Sequence, residues 1–113
     1  MVTAFSVFTE NGRKALGRTI RFARELKGWS LDDLVDRIFS ETGFFKTTKG
    51  TLSNLERGIT RPNPDLLAAI AAVGFVPHPT DDRPFTTEEF FDIARELLDP
   101  ETGERKQNSH NGH

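Results

Sequence analysis

The sequence contains no cysteine, which excludes disulfides, thiolate metal sites and a thiol nucleophile. It also lacks any long apolar run. Met1 to Lys14 has neither the basic start nor the hydrophobic stretch of a signal peptide, and nothing later could span a bilayer. No membrane association and a cytoplasmic location are therefore expected. No glycine-rich phosphate loop occurs, and no serine, histidine and acid fall in a catalytic frame. His110 and His113 stand three apart without a second ligand pair, and His78 stands alone among prolines. Neither a metal nor another cofactor is expected, and catalysis is not expected either.

What remains is a chain of 113 residues, enough for one domain with a real core. Its net charge of -2 hides an asymmetry. From Asn11 to Arg61 there are eleven Lys/Arg against six Asp/Glu, a net +5, whereas the remainder carries a net -7. A basic block beside an acidic one suggests one part that faces a polyanion and another that faces elsewhere. Solvated faces of opposite sign would leave the same composition.

The spacing of apolar residues predicts five helices and no obvious strand. The first runs from about Glu10 to Lys27 on Leu16, Ile20, Ala23 and Leu26, and Gly28 stops it. Ser30 and Asp33 form a capping box, with Trp29 and Leu34 at the staple positions, for a second helix from Leu31 to about Ile38. Phe39 to Lys46 reads as an irregular apolar connector whose Phe44 and Phe45 fold back onto the core. Thr48 caps a third helix that Gly58 ends. Asn63 and Pro64 start a fourth, built on Leu66, Leu67, Ile70 and Ala71 and closed by Gly74.

Beyond these, Pro77, Pro79 and Pro84 predict a stiff extended spacer over 77–85. Thr86 and Glu89, with Phe85 and Phe90, open a fifth helix that reaches about Leu98 before Pro100. Its apolar set is Phe90, Phe91, Ile93, Ala94, Leu97 and Leu98. That covers nearly half the helix, wider than one small domain should require, and it marks a dimer or partner face. The expected organisation is an arm over 1–9, a helical domain over 10–76, the spacer, a C-terminal helix over 86–99 and a disordered tail over 100–113.

The third helix is the most informative element. In TKGTLSNLERG only Leu52 and Leu55 are large and apolar. Gly50, Asn54 and Arg57 lie opposite Leu52, flanked by Lys49, Thr51 and Ser53. A cation, an amide and hydroxyls on one face are groups that bond base edges and phosphates.

Four short helices, and helix-one Arg24, the Ser30 start, Leu34, Leu52, Ser53, Glu56, Arg57, Gly58 and Pro62 in order, resemble the lambda-repressor/Cro-like, or Xre, family. The resemblance covers Leu16 to about Val76. It implies an all-α, lambda-repressor-like helix-turn-helix bundle of four to five helices, with an added C-terminal helix. It further implies a sequence-specific, double-stranded-DNA-binding transcriptional regulator, a repressor, acting as a homodimer. The alternative is an antitoxin or interaction module that binds a partner such as a toxin through the C-terminal helix.

By that resemblance Lys49, Gly50, Thr51 and Asn54 read bases, with Ser53 on the same face. Thr48, Arg57 and Arg61 lie along the backbone, and Arg18 and Lys46 are further candidates for phosphate contact. Glu56 then pairs internally with Arg24, a structural role. Two features depart from the family. Phe39 to Thr47 adds about seven residues to the usual tight turn, and Leu31 stands where a glutamine often bonds a phosphate.

Overall fold

Every helix starts on a side chain that closes its own first turn. Thr9, Ser30, Thr48, Asn63 and Thr86 each accept a hydrogen bond from a backbone N–H two or three residues ahead, satisfying donors that a helix start leaves unpaired. The helices they open are α1 (Glu10–Leu26), α2 (Leu31–Thr42), α3 (Lys49–Glu56), α4 (Pro64–Val73) and α5 (Thr87–Ala94). These come from a computed structural model that describes residues 7–106. Among those residues there is no strand, only two isolated bridges, so the class is all-α. Residues 1–6 of the expected arm and 107–113 of the expected tail, with His110 and His113, lie outside the described residues.

The core is one apolar cluster in which Leu16, Ile20, Leu34, Ile38, Leu52, Leu67, Ile70, Phe85, Phe90 and Ile93 are fully buried. α1 packs against α3 and α5, α2 against α3 and α4, and α4 against α5. Two glycines set how closely α1 approaches its neighbours. A Cβ on Gly12 would lie 2.0 Å from the Ala94 carbonyl oxygen, and one on Gly17 would lie 2.2 Å from that of Glu56. Only a residue without a side chain permits either crossing.

Several sequence expectations need correction. Leu26 does not join the core but is 69 % exposed, whereas Arg24, two residues before it, is buried. α2 runs one turn past Ile38, so much of the expected connector is helix and only 43–48 joins α2 to α3. Of the two connector phenylalanines, Phe45 packs on the core while Phe44 is 71 % exposed.

The proline-rich stretch is not an extended spacer. It turns back on itself, with the His78 amide donating to Arg83 and the Phe85 amide donating to Val76. Its prolines sit at positions whose missing N–H the ladder does not use. α5 ends at Ala94, and residues 97–106, expected to be disordered from 100 onward, form a second turn-back. There Asp99 donates to Glu104, Lys106 donates to Leu97, and the Arg105 guanidinium donates to Asp92 at 2.7 Å.

The breadth of the α5 apolar set has a simple cause. Phe90, Ile93, Ala94 and Leu98 are buried in their own domain. α5 meets α1 and α4, Phe85 lies 5.8 Å from Phe90, and Phe8 stacks on Phe91 at 5.7 Å. Only Phe91 and Leu97 remain partly exposed. The face expected to pair protomers or hold a partner is spent on the intramolecular core.

Candidate nucleic-acid interface

α3 is eight residues long and buries Leu52, Leu55 and Glu56. The apolar pair docks the helix onto α1 and α2. The remaining residues face outward: Thr48, Lys49, Gly50 and Thr51 are exposed, and Ser53 and Asn54 are half-buried. The Thr48 hydroxyl accepts from the Thr51 amide at 3.1 Å and donates to the Thr51 hydroxyl at 2.9 Å. The other amides of the first turn stay open, and the helix dipole favours an anion there.

Further along α3, Asn54 and Arg57 act together. The Arg57 guanidinium donates to the Asn54 side-chain oxygen at 3.1 Å. That contact fixes the amide orientation, so that its NH₂ group is free to donate outward. Arg57 itself is exposed and ends the helix. The Lys49 ammonium has one acidic neighbour, Asp32 at 3.7 Å, and both side chains are well exposed. A surface pair of this kind yields readily to a stronger anion.

Behind this face, Arg24 and Glu56 form a two-pronged ion pair at 2.7 and 2.9 Å, with 10 % and 5 % of the side chains exposed. Arg24 also donates to the Trp29 carbonyl at 2.7 Å. Glu56 holds Arg24 more firmly protonated than usual, against the opposing effect of burial. The pair ties α3 to α1 and to the start of α2, fixing the angle at which α3 is presented. The Ser30 capping box, whose amide bond keeps the Asp33 carboxyl below its usual range, fixes the start of α2.

The loop after α3 carries Arg61, exposed, with its guanidinium 5.7 Å from the Phe8 ring. Arg13 donates to the Gly58 carbonyl at 3.2 Å and to that of Phe8 at 3.4 Å, holding this loop to α1 and the chain before it. Arg95 lies over both Phe8 and Phe91, at 5.4 and 5.5 Å. This aromatic–guanidinium cluster was not found from sequence, because its members are far apart in the chain and none belongs to a helical period. Lys46, exposed in the 43–48 connector, lies 5.7 Å from the Phe39 ring.

The structure therefore gathers Thr48, Lys49, Gly50, Thr51, Ser53, Asn54 and Arg57 on one helix. Arg18 is placed differently. It lines grooves with Phe22, Pro100 and Glu101, to which no α3 residue contributes. Among the described residues no cluster of three or more metal-ligating side chains occurs, and no helix is long and apolar enough to cross a membrane.

A family model described as "Helix-turn-helix" matches residues 20–79, from the middle of α1 through α4. No curated protein and no solved structure gives a significant match. The matched stretch is more than half of the chain and contains α2, α3 and the Arg24–Glu56 brace. Taken with the exposed polar face of α3, it shows that the chain belongs to the lambda-repressor-like, or Xre, helix-turn-helix family of DNA-binding regulators.

Proposed function

We propose that the protein is a sequence-specific transcriptional repressor that reads the major groove with the first turns of α3. The carrying observation is that α3 spends only Leu52, Leu55 and Glu56 on the fold and leaves Lys49, Gly50, Thr51 and Asn54 outward. Asn54, its oxygen engaged by Arg57, presents amide hydrogens suited to a purine acceptor such as N7, and Lys49 reaches a guanine or a phosphate. Gly50 brings the helix backbone close to the groove floor. Thr48 and its open first-turn amides sit against a phosphate, while Arg57, Arg61 and Lys46 neutralise others. Repression follows from occupancy: a bound domain of this size excludes other proteins from the same groove.

Regulators that bind as two-fold dimers place their recognition helices about 34 Å apart, or a multiple of that, on inverted repeats. We take this protein to be such a dimer. The antitoxin reading drew on the apolar face of α5, and the domain's own core occupies that face.

Selection of bound duplexes from a random-sequence pool tests the proposal. An inverted repeat should be enriched, with half-sites one helical turn or a multiple apart. Retention without enrichment, lost as salt rises, would reduce the activity to backbone attraction and defeat the specific reading.

A further inference from the structure

With α5 committed to the core, the largest exposed apolar side chains of α1 have no partner. Phe22 is 64 % exposed and Leu26 69 % exposed, one turn apart on the same helix face. They form one wall of a groove of about 490 Å³. Pro77 from the first turn-back and Pro100 with Glu101 from the second form the other side, and Arg18 lies in the same groove. Pro100 and Glu101 fall beyond the family match, so this groove exists because of the C-terminal addition. Nothing in the fold needs Phe22 or Leu26 outside, and contiguous exposed apolar surface of this kind marks an interaction site.

We propose that this groove is the surface through which two copies of the chain dimerise. The inference deepens the two-fold reading above and rests on it. The occupant is identified by charge as well as by apolarity. Arg18 and Glu101 line the groove together, both exposed, and neither has an ion-pair partner among the described residues. A surface that carries one free cation and one free carboxylate beside an apolar centre is complementary to itself under a two-fold rotation. Arg18 of one protomer meets Glu101 of its partner, and the reverse pair forms at the symmetric position. Phe22 and Leu26 of both protomers interdigitate between the two pairs and exclude water from them. Free DNA does not fit such a lining, since the groove is mainly apolar and one of its two charges is negative.

The test is the mass of the full-length chain in solution as a function of concentration, without DNA. The wild type should be a dimer at micromolar concentration. Phe22→Asp combined with Leu26→Asp should weaken association by about 100-fold and give a monomer. Because both side chains are exposed, the variant should keep its melting behaviour and its binding to a single half-site. Arg18→Glu alone and Glu101→Arg alone should each weaken the dimer by about tenfold, by placing like charges opposite. The double reversal should restore it.

Three results would overturn the assignment: a monomeric wild type, a dimer indifferent to Phe22→Asp/Leu26→Asp, or a double reversal that does not recover. A wild type that associates only with a different protein counts as the first of these. Failure of the DNA reading is separable. It would show as absent half-site selection by every variant, whatever the mass.

Discussion

Asn54 is the residue whose role most depends on a neighbour. Its side-chain oxygen is occupied by Arg57 at 3.1 Å, so in the proposed complex it would meet a base with its amide hydrogens foremost. This division of labour makes a two-part prediction. Asn54→Ala and Lys49→Ala should each cost about 1–3 kcal/mol on the selected site and far less on random duplex, because they remove base contacts. Arg57→Ala should weaken both DNAs and lower the salt sensitivity, because it removes a phosphate contact. Fluorescence anisotropy on the two duplexes at two salt concentrations separates these outcomes. Equal losses on both DNAs for Asn54→Ala would move Asn54 to the backbone. The polar face of α3 was legible because eight residues with two large apolar positions leave little to interpret. The Asn54–Arg57 bond was not legible, since three-residue spacing allows the contact without requiring it. Phe44 was misplaced for a related reason. Neighbouring aromatics in an irregular connector have no period to say which one turns inward.

At the scale of elements, the helix starts were legible because a capping side chain and a carboxylate three residues on act locally. The ends of α2 and α5 were not. α2 gains a turn because Phe39 to Thr42 continue a helix whose buried face needs no further large residue, and α5 stops early because residues 97–106 fold back across it. The excess apolar width of α5 was real, but its meaning depended on chain that the helical period does not describe: Phe8 before α1 and Phe85 after the proline turn-back. Composition likewise hid Gly17, an ordinary-looking glycine inside a helix. Its close approach to the Glu56 carbonyl sets the seat of α3 on α1. Gly17→Ala should therefore destabilise the fold by about 2 kcal/mol, within the usual cost of overpacking, and more than helix propensity could return. Urea unfolding followed by circular dichroism measures this. Unchanged or raised stability would mean that α3 moves away from α1 at no cost.

Across the whole molecule, the acidic C-terminal third is built as a brace for the helix-turn-helix unit. Glu89 is its keystone: nearly buried, it receives both prongs of Arg83 at 2.8 Å and the Thr86 amide at 2.9 Å. It thereby ties the proline turn-back to the start of α5. The Nε2 of His78 faces it at 3.8 Å, while the Nδ1 of His78 accepts the amides of Thr80 and Asp81. Arg83 first, and the Thr86 amide after it, hold the Glu89 carboxyl down to about 2 from its ordinary 4.5, against the opposing effect of burial. A carboxyl that binds its proton less readily when folded adds stability above the unfolded value, and that stability drains away as pH falls through the folded one. The melting temperature should hold steady from neutrality to about pH 5 and then fall between about pH 4.5 and 2. Glu89→Gln should melt lower at pH 7 and show a shallower fall across the acid window. A variant as acid-sensitive as the wild type would mean that the acid response does not come from the Glu89 tie. Loss of this tie would also loosen the Pro77 wall of the groove, which the same turn-back carries. Acid should therefore dissolve the proposed dimer in the same window in which the Glu89 tie is lost.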